Sequence, residues 1–284
     1  MAGAASAARR ARSASRRGAS NSGLEFLERA GYVVRGLLYT VMGVLALGVA
    51  LGVGGMATDQ SGSLVVITSG PFGRMLLAGV VIGLGAYSVW GFVRAIFDPL
   101  HRGDDPPGIA ERLGFAWSGI AYAAMVLLAL QLLLGSSHSP SHDATQSAIA
   151  SILTYPAGQW ATVVVGAIAI GVGLGQFVEA YTAVFKKDLK RTEMSKAEKK
   201  TVDSLGRLGM VSRGVTFTLV GWFVVQAGLY HDPSRAHGFG GAFVFLLGQP
   251  LGRPLLAAVA LGFIALGLHS FASARWERLL GSSR

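Results

Sequence analysis

One pattern, Arg-x-Gly-x-x-x-[Arg/Ser]-Gly-x-x-[Tyr/Phe], opens three uncharged apolar runs, and this self-similarity constrains the chain more than any other feature. The copies begin at Arg29, Arg112 and Arg207. They carry Gly36, Gly119 and Gly214 at one register and close on Tyr39, Tyr122 and Phe217. A second motif recurs in phase: Gly70-Pro71-Phe72-Gly73-Arg74, then Tyr155-Pro156-Ala157-Gly158-Gln159, then Gln249-Pro250-Leu251-Gly252-Arg253. Beyond each Pro, Phe92, Phe177 and Phe271 align, followed by Ala95, Ala180 and Ala274, with no gap inside any copy. An Arg/Gly-led segment is followed three times by a Pro-led one, which predicts three tandem two-helix units.

The runs 36–55, 75–93, 113–135, 157–178, 214–230 and 254–268 carry almost no charge. The whole chain is 51% hydrophobic and only 14% charged, where a soluble protein carries about 25%. Roughly 20 apolar residues at ~1.5 Å each cross a hydrocarbon core of about 30 Å, and runs apolar all round leave no face for water. The expected fold is an all-α integral membrane protein. Its six transmembrane helices come from three repeats related by a pseudo-threefold axis along the membrane normal, with a short interfacial helix before each odd span.

The net charge of +10 does not point to nucleic acid, because the basic residues segregate. All six Lys (Lys186, Lys187, Lys190, Lys196, Lys199, Lys200) lie in one connection. Arg9, Arg10, Arg12, Arg16 and Arg17 lie in the N-terminal tail, and Arg275, Arg278 and Arg284 close the chain. Only Arg74, Arg235 and Arg253 fall on the other side. The positive-inside rule then predicts a multi-pass protein of a bacterial inner (plasma) membrane with both termini in the cytoplasm. The basic connections face anionic headgroups there. The lack of Cys excludes disulfides and thiol chemistry, and no cofactor is expected.

In chain order, residues 1–22 read as a disordered basic tail, 23–98 as repeat one, 99–185 as repeat two, and 186–284 as a basic linker followed by repeat three. Ser22 with Glu25 and Ser195 with Glu198 fit capping boxes, and Asp105-Pro106 suits a helix start. The outer connections 56–69, 136–154 and 231–248 read as loops. Trp90, Trp117, Trp160 and Trp276 fall near span ends, as interfacial aromatics do. Gly48/Gly52, Gly79/Gly83 and Gly171/Gly175 put small residues one turn apart, which suits close helix contact within the bundle.

These openings and the Pro-x-Gly-Arg starts of the return helices resemble the bacterial membrane family catalogued as domain of unknown function 1206, over about residues 24–275. The resemblance implies six spans in a bacterial inner membrane and supplies no activity. Ser118 departs from the Arg of the other copies, and Phe217 from their Tyr.

Among single residues, Glu179 is the one acid inside a span, and ionisable groups at that depth are functional candidates. It is expected to join Arg35, Arg213 and Arg94 in an intramembrane ion network, with Arg35 or Arg213 as first partner, or else to relay protons. Gly36, Gly119 and Gly214, with Tyr39 and Tyr122, are expected to be packing positions of the repeat. His138 and His142 are weak candidates for a metal site, and His269 is expected to be a hydrogen-bonded packing histidine. No motif of an enzyme class is present. The expected role is therefore a non-enzymatic structural or accessory membrane component, alone, as a homo-oligomer or in a larger complex. The competing reading is a small-solute or ion transporter, which a central polar cavity bearing Glu179 or Arg213 would favour.

Overall fold

The computed structural model describes residues 2–69, 72–97, 106–135 and 144–277. Each repeat is a long helix, a short helix and a return helix. The first holds α1 (Ala2–Leu51), α2 (Gln60–Thr68) and α3 (Gly73–Phe97). The second holds α4 (Pro106–Leu133), α5 (Ala144–Leu153) and α6 (Gly158–Thr182). The third holds α7 (Lys196–Leu229), α8 (Phe239–Leu247) and α9 (Gly252–Trp276). The six long helices are apolar enough to cross a membrane, at a mean hydropathy of 1.5 to 2.1. The all-α, six-span expectation from three tandem repeats holds.

Three helix crossings are built alike, and they join each repeat to the next. The motif glycine of an odd helix lies against the preceding return helix in cyclic order: α1 on α9, α4 on α3, α7 on α6. A Cβ on Gly36 would sit 2.8 Å from Phe271 and 2.9 Å from the Gly267 carbonyl. On Gly119 it would sit 3.3 Å from Phe92 and 3.2 Å from the Ser88 carbonyl, and on Gly214 3.1 Å from Phe177 and 3.0 Å from the Gly173 carbonyl. Phe92, Phe177 and Phe271 are the aligned phenylalanines of the return helices, and Ser88, Gly173 and Gly267 share one register as well. Without a hydrophobic drive between helices in lipid, such close backbone approach is what holds spans together. The three glycines thus sit at equivalent helix crossings in all three copies.

Contacts within a repeat do not share that symmetry. In repeats one and three, α1 packs on α3 and α7 on α9, whereas α4 and α6 scarcely touch. A Cβ on Gly31 would come within 2.6 Å of Tyr87, and one on its equivalent Gly209 as close to Leu266. The third copy, Gly114, meets nothing within 4 Å. On the return helices, Gly83 nests against Val34 and Gly262 against Ser212. The matching pair in repeat two is Ile168 and Trp117, two side chains too large for that approach, and they are 61% and 72% exposed. Only 17% of the most apolar stretch of α4, and of α6, is buried, against 44–61% for the other four spans. The ring of six helices therefore has one open seam, and the substitutions at 117 and 168 account for it.

The outer connections are not simple loops. α2, α5 and α8 insert Leu64, Ile149 and Phe243 into the bundle, all at most 3% exposed. Each of these stands seven residues before its repeat's Pro, at 71, 156 and 250. Leu64 packs with Leu77 and Leu84, Phe243 with Leu256 and Phe263, and Ile149 with Val224 and Ala227, in apolar cores at the end of the bundle away from the termini.

Other expectations are corrected. The tail read as disordered carries helical backbone from Ala2 continuous with α1, since a segment rich in Ala and Arg uses the strongest helix formers. No break separates an interfacial helix from α1, α4 or α7; those turns simply extend the odd spans. At Ser22 the helix runs through, and Glu25 instead pairs with Arg29 at 2.6 Å. The capping box at Ser195 and Glu198 does form, and Pro106 does open α4. Trp90 is fully buried rather than interfacial, while Trp117 and Trp160 are exposed. Of the paired glycines, Gly83 packs on a neighbouring helix, but Gly79, Gly171 and Gly175 meet nothing within 4 Å. Gly52 ends α1 in the left-handed region (φ 72°), where its amide and that of Val53 bond back to Val49 and Gly48, a helix-terminating pattern that glycine favours.

The basic linker before α7 is ordered. Two 3-10 turns, Val184–Asp188 and Arg191–Glu193, are tied down by Asp203, which receives Arg191 in two bonds (2.7 and 3.2 Å) and Lys186 at 3.0 Å. The bond to Asp203 also raises the Arg191 guanidinium above its ordinary range. The Lys190 amide donates to the Trp276 carbonyl at 2.6 Å, so the linker is docked against the end of α9.

Candidate functional site

The first Arg of the motif serves the fold rather than a site. Arg29 donates to the Ala274 carbonyl (3.0 Å), and Arg112 to that of Ala95 (2.9 Å). Each caps the last turn of the return helix it packs on, where carbonyls lack intrahelical donors and a cation suits the helix dipole.

The second Arg faces inward. In the half of the bundle that carries the termini, the six helices diverge around a cavity of about 660 Å³, whose wall includes Arg35, Arg94, Arg213, Glu179, Ser118 and His269. Repeat positions recur around it. Arg35, Ser118 and Arg213 are one motif position, and Tyr32, Phe115 and Met210, one turn nearer the mouth, are another. Trp90 is absent from the wall, but its equivalents Gly175 and His269 contribute. Arg94 and Glu179 stand at a single register of the return helices. The structure thus brings together all four residues of the expected ion network. It sets three guanidinium groups beside one carboxylate, with Glu111 and Glu277 at the mouth.

The geometry around each differs. Arg35 donates to the Tyr87 hydroxyl at 3.1 Å and lies 5.5 Å from the Tyr39 ring. Arg213 lies 5.3 Å from the Phe217 ring. The motif therefore places its aromatic one turn beyond its Arg, as a face on which the guanidinium rests. The Nε atoms of Arg35 and Arg213 are buried and have no hydrogen-bond partner among the described residues. Arg94 is held among rings, 4.5 Å from Phe115, 5.5 Å from Trp90 and 5.7 Å from Tyr87. Glu179 accepts from Gln176 at 3.4 Å. Arg35 thus contacts Tyr87 and Tyr39, Arg213 contacts Phe217, and both share the cavity wall with Glu179.

Tyr32 donates to Glu277 across the mouth. His269 is held by its Nδ1 at 3.2 Å from the Val202 carbonyl oxygen and by an edge-on contact with Phe185, a packing role in keeping with its expectation. Tyr39 and Tyr122 are buried beyond the Arg layer. Tyr39 stacks on Phe263 and Tyr122 meets Tyr87 edge-on, which closes the cavity toward the far end. His138 and His142 lie outside the described residues, and no three metal-binding side chains converge among those described. A second pocket at the far end, lined by Met56, Phe223, Gln226 and His237 among others, gathers no comparable set of charges.

Tyr32, Phe115 and Tyr87 were not singled out from the sequence. Their signal is register: Tyr32 and Phe115 stand three residues before the second motif position, on the same helix face.

A family profile described as Domain of Unknown Function (DUF1206) matches residues 30–98, 113–183 and 208–277. The uncharacterized protein YxxB of Bacillus subtilis (strain 168) is 32% identical over 251 residues, which cover 88% of this chain and 90% of that relative. No solved structure matches. Each profile match begins beside a motif Arg and spans one pair of long helices, so the three copies account for the whole ring, and the chain belongs to the DUF1206 family.

Proposed function

We propose that the protein is a non-enzymatic membrane carrier that binds an anion bearing a phosphate group in the arginine-lined cavity. The observation that carries this reading is Arg213 together with Arg35: two guanidinium groups inside membrane-spanning helices, turned to one cavity with Nε donors unsatisfied. A buried donor without a partner costs about 1–3 kcal/mol, more for a charged group, and a planar guanidinium fork fits the two oxygens of a phosphate or carboxylate. An accessory component needs no such cavity. Of the two readings the sequence allows, the carrier is therefore preferred. Three repeats in one orientation are also a common plan for carriers, and the packed aromatic layer at Tyr39 and Tyr122 makes this a cavity open to one side.

The same reading sets the protein in a bacterial inner membrane with both termini in the cytoplasm, so that the cavity opens inward. The Lys-rich linker and the Arg-rich tail then meet anionic headgroups.

The test is thermal stability of the purified full chain in detergent with inorganic phosphate, glycerol phosphate or a phosphatidate added. At least one of them should raise the melting temperature of the parent. Arg213→Gln should weaken that binding about tenfold to a hundredfold, the equivalent of one charge-assisted hydrogen bond, and Arg213→Lys should recover part of it. If no phosphate-bearing probe stabilises a folded parent, the carrier reading fails.

A further inference from the structure

Of the residues around the cavity, those on α1, α3, α7 and α9 are buried or half-buried, while the exposed ones, including Gly114, Gly175 and Val178, sit on α4, α6 and the start of the linker. Besides its mouth at the end of the bundle, the cavity is therefore open laterally between the two spans of repeat two, where the seam described above interrupts the ring. A Cβ on Gly114, Gly171 or Gly175 would meet no other atoms within 4 Å, so these glycines leave open space on the two helices. Ser118 and Gly175 lie about 10 Å inside the ends of their spans, at ~1.5 Å per residue, so in a membrane-embedded bundle the outer face of the seam at that depth meets lipid chains. Val184 and Phe185 of the docked linker form part of the cavity wall at its aqueous end. The seam is flanked by the exposed apolar side chains Leu113, Trp117, Ile168 and Val172.

We propose that this seam is a lateral portal for a membrane lipid. Its phosphate headgroup enters between α4 and α6 to reach Arg35 and Arg213, while its acyl chains remain against Trp117 and Ile168 in the bilayer. The proposal rests on the anion-binding reading and names the occupant. A water-soluble anion has no use for an opening at hydrocarbon depth. A lipid phosphate needs one, because its chains cannot follow it into a polar cavity. Basic pockets between spans on the cytoplasmic side are a recognised setting for lipid phosphates, and here the exposed Lys187 follows the wall residues Val184 and Phe185 closely in the chain.

The experiment uses the full chain in detergent and three probes: dioleoyl phosphatidate, glycerol phosphate with the same headgroup and no chains, and dioleoyl phosphatidylcholine with the same chains and a neutral headgroup. Binding is read by native mass spectrometry and by melting temperature. Because Gly171 meets open space and Leu113 is exposed beside the seam, while neither lines the cavity, Gly171→Leu with Leu113→Trp fills the seam without a clash and should leave melting unchanged in the absence of lipid. Phosphatidate should bind the parent at least about tenfold more tightly than either other probe. The double variant should lose that advantage while keeping what glycerol phosphate binding there is. The portal is refuted if glycerol phosphate binds as tightly as phosphatidate, or if the filled seam binds phosphatidate as the parent does. It is also refuted if the double variant instead splits a dimer, which would make the seam a contact between copies. Failure of every phosphate probe on the parent overturns the cavity reading itself, a result distinct from failure of the seam alone.

Discussion

Gly36, Gly119 and Gly214 meet the equivalent phenylalanine and the equivalent carbonyl in three different crossings, so a side chain as large as Leu at any of them must push its neighbours aside. Replacing each in turn by Leu should lower stability by ~1–3 kcal/mol through overpacking, read as melting temperature in one detergent. Gly114→Leu is the matched control. It carries the same chemistry at a motif glycine of the second repeat, yet meets open space, and should melt with the parent. Equal melting of all four variants would contradict the packing role. The motif also separates its two arginines by task. Arg29 and Arg112 cap carbonyls of a neighbouring helix, whereas Arg35 and Arg213 rest on the motif aromatic and face the cavity. Spacing alone makes these four alike, because the difference between them is made by the helix on the other side.

The short helices α2, α5 and α8 show what a linear reading passes over. Their segments look like loops in composition, with Ser, Gly and His and little charge. Yet Leu64 and Ile67, Ile149 and Ile152, and Phe243 and Leu246 stand seven and four residues before each Pro. An apolar pair at that spacing lines one face of a helical turn, and it recurs only when the repeats are aligned on the Pro. Removing one such plug should destabilise strongly: Phe243→Ala by ~3–5 kcal/mol and Ile149→Ala by ~2–5 kcal/mol, measured by thermal unfolding in detergent. Unchanged melting in Phe243→Ala would mean that the short helix does not seal the bundle. The spans themselves were legible from length and hydropathy, and the return-helix starts from Pro and Gly. The run of helix through residues 2–22 was not, because composition that argues against a buried core says nothing against a solvated helix of Ala and Arg.

At the scale of the molecule, three copies of one unit close a ring through identical crossings, and one copy then breaks the ring. The first property was visible in the repeat. The second was present as well, in Ile168 opposite Trp117 where the other copies place glycine against Val34 or Ser212, but reading it requires knowing which positions face each other across a repeat. The central claim is that this arrangement keeps a polar cavity open from the end of the bundle that bears the termini, deep inside the spans. The natural chain has no cysteine, so single substitutions report cleanly. Ser118→Cys, on the cavity wall, and Ala46→Cys, in the apolar core beyond the aromatic layer, can be exposed in membrane vesicles to an impermeant thiol reagent applied from either side. Ser118→Cys should be modified from the side of the termini, excess phosphatidate should slow the reaction, and Ala46→Cys should react from neither side. A folded Ser118→Cys protein that stays unmodified from both sides would contradict an open cavity.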